Sequence, residues 1–141
     1  LRVEARSLTD GRALLEKVVP LSLEPGERRV ALELDISDFD AKSTLVYAEL
    51  FGKGTFRLLA EPKDSELSVP KLDASIEGSE LVLRSDLPVV DLYLWDDEGD
   101  VAFSENFVTL NSGACRRVRM HGAPVRLRAR SLAGEHLLRL A

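Results

Sequence analysis

Carboxylates are the most abundant reactive groups in this chain, 24 among 141 residues. A glycosidase needs two of them facing each other across a glycosidic bond. With so many acids, neighbours arise by number alone, and no pair is set apart by its surroundings. The densest group, Asp96-Asp97-Glu98-Gly99-Asp100, invites a calcium reading. It lacks the alternate acids, Gly and distant Glu of an EF-hand loop, and Asp with Gly is also what a hairpin turn demands. A solvated turn is therefore expected there. Cys115 is the single cysteine, so no internal disulfide can form, and a half-buried structural thiol is expected. His121 and His136 share no metal-ligand spacing with each other or with Cys115. Ser104-Glu105-Asn106 brings a hydroxyl and an acid together with no base placed for them. No nucleophile elbow, phosphate loop or dinucleotide fingerprint occurs. No catalytic, cofactor or metal residue is assigned, and no cofactor is expected.

The aromatic residues offer a binding chemistry instead. Tyr93 and Trp95 stand two apart in an alternating run, which places both rings on one face of a strand. Two such rings form a platform for sugar, because a ring face attracts the C–H side of a pyranose. Packing against the core or another domain is the competing reading, and the one preferred, for a Trp on a central sandwich strand. Arg126, Arg128 and Arg130 also share a face, opposite Val125, Leu127 and Ala129. The expected reading is a solvated sheet face with acids on adjacent strands. A net charge of −5 and a pI near 5.1 argue against a nucleic-acid partner. No run approaches the roughly 18 apolar residues of a membrane helix, so no membrane partner is expected, and a cytoplasmic location is favoured. The chain has no Gln, two Asn, one Met and one Cys. Such depletion of heat-labile residues is what thermophile proteins tend to show.

The elements that would carry these residues are strands. Val30 to Ile36 alternates aliphatics with Glu33 and Asp35; Leu45 to Phe51, Leu81 to Arg84 and Val90 to Trp95 alternate likewise. Thr9-Asp10-Gly11, Pro25-Gly26-Glu27, Gly52-Lys53-Gly54, Glu77-Gly78-Ser79, Glu98-Gly99-Asp100 and Ser112-Gly113 supply the turns. Arg12 to Val18 reads as a strand, and Leu132 to Leu140 as a frayed terminal strand or turn. This pattern predicts an all-β chain of two tandem immunoglobulin-like antiparallel sandwiches. Residues 1–64 form the first and residues 65–141 the second, with the charged, Pro-containing stretch from Glu61 to Glu66 between them.

The two halves share a spacing. Val3 to Gly26 and Val90 to Gly113 are both 23 residues apart, each running from a strand through an Asp/Gly turn to a second turn. The second half has a further apolar run before its copy, so the first is expected to lack its opening strands. Its open face around Val30, Leu32 and Leu34 would then be covered by the second half or by another copy of the chain, a homo-oligomer. The predicted core of the second half is Leu81, Leu83, Val90, Leu92, Leu94, Val118, Val125, Leu127 and Ala129.

Val89 to Trp95, the acidic Gly turn, and Phe103-Ser104-Glu105-Asn106-Phe107 followed by Leu110 resemble the C-terminal immunoglobulin-like domain of β-mannosidases in glycoside hydrolase family 2. Val3-Glu4-Ala5 to Gly11, Leu23 to Glu27 and Leu45 to Leu50 are similar to the domain that precedes it. The resemblance implies non-catalytic accessory β-domains of a retaining exo-β-mannosidase. Their partners would be an upstream catalytic domain of the same polypeptide and, for the parent enzyme, mannose-containing glycans. In that family both catalytic Glu residues lie on a barrel, the acid/base within an Asn-Glu pair. This chain has Glu105-Asn106 but no Asn-Glu, so no catalytic role transfers. The alternative is a carbohydrate-binding module with Tyr93 and Trp95 as its sugar platform.

Overall fold

A computed structural model of the chain describes residues 1–136 and 138–140, and of Arg139 and Leu140 only the backbone. The chain is all-β and divides into two compact units. Residues 1–7 and 12–66 form one, and residues 8–11 and 67–141 form the other. Among the described residues, no helix is long and apolar enough to cross a membrane.

The first unit is one antiparallel sheet. It consists of β1 (Arg2–Ser7), β2 (Ala13–Val18), β3 (Thr44–Leu50) and β4 (Lys53–Leu58), in the order β2-β1-β3-β4. Central β1 is buried on both faces: Val3 and Ala5 point one way, Glu4 the other. A buried carboxylate is costly unless paired, and Glu4 lies between two guanidiniums. It pairs with Arg2 and, at 3.0 Å, with Arg6, which reaches on to Glu16 at 3.0 Å. The β3–β4 hairpin closes on Phe51-Gly52, both at positive φ (51° and 73°), the pattern of a type I′ turn. A Cβ at Gly54 would strike the Tyr47 ring and hydroxyl, so a side chain there would require Tyr47 to move.

The strand expected over Val30–Ile36 is absent. Residues 19–40 carry only turns, and Val30 and Ile36 are exposed. Alternation marks a face but supplies no ladder partner, and local side-chain bonds compete with strand pairing. Asp35 accepts the Ser37 N–H at 2.9 Å, and Asp40 accepts that of Lys42 at 3.1 Å, starting a single 3₁₀ turn at Ala41–Ser43.

The second unit is a two-sheet sandwich. Its strands are β5 (Leu72–Glu77), β6 (Glu80–Ser85), β7 (Val89–Asp96), β8 (Ala102–Phe103), β9 (Val108–Leu110), β10 (Cys115–His121), β11 (Leu127–Ser131), β12 (Gly134–His136) and β13 (Arg139–Leu140). One sheet runs β13-β5-β6-β10-β8, with β13 parallel to β5, and the other runs β12-β11-β7-β9. The expected terminal strand or turn over 132–140 includes Leu137, which lies outside the described residues; β12 and β13 flank it. The equal spacing of the two halves is met by different routes. β1 turns back onto β2, whereas the chain leaving β7 crosses to the other sheet, where β8 pairs with β10. The counterpart of β10 after Gly26 forms no strand.

Leu81, Leu83, Leu92, Leu94, Val118, Leu127 and Ala129 lie in the core as predicted, joined by Leu72, Val89, Val108, Leu110 and Met120. One expectation fails. Val125 is 71% exposed, because β11 begins only at Leu127. Val90 is buried as predicted, but outside the cluster that holds Leu92 and Leu94. The cause is a bulge: Val89 pairs with Leu110 and Leu92 with Val108, so β7 carries one extra residue there, with Asp91 at φ 53°. Val89 rather than Val90 therefore faces inward with Leu92 and Leu94. Leu92→Ala is expected to cost about 2–5 kcal/mol in a denaturant titration, and Val125→Ala to stay within about 0.5 kcal/mol. Equal costs would mean that the strand faces are misassigned.

Candidate functional site

The bulge sets which side chains β7 shows to solvent. With Leu92 and Leu94 inward, Tyr93 and Trp95 point outward, as a strand's alternation requires. Their rings stack at 5.8 Å between centroids with planes 25° apart. A third ring joins them: Phe107 lies 5.4 Å from Tyr93, tilted by 39°. Tyr93 and Phe107 are 42% and 65% exposed, which is surface display rather than core packing.

Phe107 comes from the Phe103–Phe107 run, which straps one sheet to the other. Ser104 donates its N–H to the Arg119 carbonyl at 2.8 Å, and its Oγ accepts the Arg119 N–H at 3.1 Å. Glu105 holds the Arg116 guanidinium with both oxygens, at 3.1 and 2.5 Å. Asn106 lies where the β7–β9 ladder would next pair, opposite Leu94. Its side chain makes both ladder bonds: Oδ1 accepts the Leu94 N–H at 2.6 Å and Nδ2 donates to the Leu94 carbonyl at 2.9 Å. Phe107, at φ 56°, diverts the backbone just there and turns its ring toward Tyr93.

Charged groups border the rings. Arg128 stands opposite Trp95 in the ladder, and Arg130 opposite Tyr93. Asp97 ties this border together, accepting from Trp95 Nε1 at 3.2 Å and Arg128 Nε at 3.0 Å, with Arg126 at 3.3 Å. The Arg128 hydrogen bond, helped by that of Trp95, lowers the Asp97 pKa against a smaller opposing effect of desolvation. A cavity of about 170 Å³ is lined by Trp95, Arg128, Ala129, Glu135 and His136.

The remaining sequence candidates are engaged in the fold. Asp96 is buried and accepts the N–H groups of Val125 (3.3 Å) and Arg126 (2.6 Å), closing the approach to β11. Its carbonyl accepts the Gly99 N–H at 3.0 Å, a turn. Among the described residues, no three His, Cys, Asp or Glu side chains are grouped to hold a metal ion. Cys115 is exposed, not half-buried: Val118 and Met120 set the inward phase of β10, which sends Cys115 outward. Arg117 meets Glu77 and Glu80 at 2.8 and 3.0 Å. His136 is buried with Ser131, Nε2 to Oγ 2.7 Å, and among the described residues its buried Nδ1 has no partner.

Sequence reasoning identified Tyr93 and Trp95 but missed Phe107 as their neighbour. Alternation has no signal at the 14-residue separation of Phe107 from Tyr93. Only the β7–β9 register, with Leu92 opposite Val108, brings Phe107 beside Tyr93. Compared with protein-family models and with curated proteins, the chain shows no match.

Asn106→Ala removes two hydrogen bonds and leaves the Leu94 backbone groups unpaired. A cost of about 1–3 kcal/mol is expected in a denaturant titration. A smaller cost than an exposed control substitution would show that the strap bears no load. Burial of His136 pushes its pKa below that of an ordinary imidazole, so the unfolded chain binds the proton more readily. Its contribution is full above the unfolded pKa and is lost as pH falls through the window between the unfolded and folded values. Stability should therefore decline as pH falls below the ordinary imidazole value of about 6.5, and His136→Phe should flatten that slope. An unchanged slope would refute the assignment.

Proposed function

We propose that this chain is a non-catalytic accessory β-region of a retaining exo-β-mannosidase of glycoside hydrolase family 2. The observation that carries the reading is the strap Phe103-Ser104-Glu105-Asn106-Phe107, the most specific part of the resemblance. Each of its polar side chains is committed to the fold: Ser104 and Asn106 to backbone, Glu105 to a guanidinium. A motif spent on joining two sheets is a structural signature, and it suits a domain that supports chemistry carried out elsewhere. The all-β architecture of both units fits the same role.

In this reading the two catalytic Glu residues reside on a barrel of the same polypeptide, and mannose-containing glycans are its substrates. The test is an aryl β-mannoside assay on two samples, this chain and the complete polypeptide encoded with it. The complete polypeptide is expected to release mannose with its β configuration retained, and the chain alone to release none. Turnover by the isolated chain contradicts the reading. So does a complete polypeptide that leaves β-mannosides intact.

A further inference from the structure

We infer that the outer face of the β12-β11-β7-β9 sheet is a binding surface for a neutral oligosaccharide, with Phe107, Tyr93 and Trp95 as its floor. Tyr93 touches both other rings, Trp95 at 5.8 Å along the strand and Phe107 at 5.4 Å across it, and two of the three are more than two-fifths exposed. Ring faces carry negative charge density and attract the weakly positive C–H faces of pyranoses. A cluster of three rings offers more such contact than a single ring does.

The border decides the class of ligand. Arg128 and Arg130 on β11 offer donors, and Glu135, opposite Arg130 on β12, offers an acceptor. Asp97 already accepts from Trp95 Nε1, so the indole brings no unmet donor to a ligand. Cations and carboxylates alternate along the edge, which suits hydroxyl groups that both donate and accept. A nucleic acid would call for an uncompensated cationic border, and here Asp97 balances two of the arginines. The rings also sit on a strand whose phase is held by the Asn106 clamp, so the platform is pre-organised at little entropic cost on binding. This inference rests on the geometry of one sheet face and is independent of the mannosidase reading.

Trp95 is the only tryptophan, so its fluorescence reports on the platform alone. The experiment titrates the chain with β-1,4-linked mannohexaose, cellohexaose and laminarihexaose and follows that emission. At least one sugar should give a saturable change. Phe107→Ala, at an exposed position, and Tyr93→Leu should each weaken binding about tenfold or more while leaving the unfolding midpoint close to that of wild type. Binding to the glucans alone would uphold the platform while leaving the mannosidase reading to its own assay. No change with any sugar at about 10 mM, ten times the Kd of a millimolar binder, would overturn it. Binding that survives both ring substitutions would also overturn it. A concentration-dependent shift without sugar, with a dimer in light scattering, would assign the face to a second copy of the chain instead.

Discussion

The second unit depends on the phase of one strand. β7 has its extra residue at Val90–Asp91, and beyond it every side chain must choose between the core and solvent. Two devices fix the choice. The bulge N–H of Asp91 approaches Thr109 Oγ1 at 3.4 Å, and the Val90 carbonyl accepts the Leu132 N–H at 3.1 Å. Further along, Asn106 closes on both polar groups of Leu94. A slip of one residue would drive Tyr93 and Trp95 inward and expose two leucines, since strand periodicity is two. The core and the displayed aromatic cluster are thus two sides of one constraint. Leu92 and Leu94, 0% and 1% exposed, supply the burial that pins Tyr93 and Trp95 outward.

The polar residues of the chain are largely used to make this constraint hold. In the strap, Ser104, Glu105 and Asn106 exchange bonds with β10 and β7, so the crossing between sheets needs no strand of its own. Asp96 similarly caps the entry to β11, whose residues Leu127 and Ala129 complete the core. In the first unit Glu4 has the corresponding position, a buried carboxylate held by Arg2 and Arg6 in the central strand. Removing one partner of such a group leaves an uncompensated charge, so pairs of this kind specify arrangement more than they add stability. A site built on a strand held in this manner is more rigid than one on a loop.

Much of this was legible in the residue pattern. Alternation located β1, β3, β6 and β7, and Asp-Gly or Gly-Ser turns located the hairpins. The same rule failed where a neighbour, not the strand itself, decides the outcome. Val30 to Ile36 alternates well, yet pairs with nothing and turns at Asp35 and Asp40. The bulge that sets Val89 rather than Val90 beside Leu92 has no signature in apolar periodicity, and Val125 stays exposed because Asp96 captures the backbone before β11 starts. Tyr93 and Trp95 were visible as a same-face pair. Phe107 was not, since its place comes from a long-range register and a left-handed backbone conformation. The strap residues were visible as a motif but not as hydrogen-bond partners, for the ladder position of Asn106 exists only once β7 and β9 are paired.

The central claim is the phase of β7, and proton–proton distances measured by NMR test it most directly. The structure predicts cross-peaks from the Tyr93 ring to the rings of Trp95 and Phe107, and from the Leu92 and Leu94 methyls to those of core residues such as Leu81, Val108 and Val118. Cross-peaks from the Tyr93 or Trp95 ring to the methyls of Leu81, Leu83 or Val118 would place the rings inside the sandwich and contradict the account.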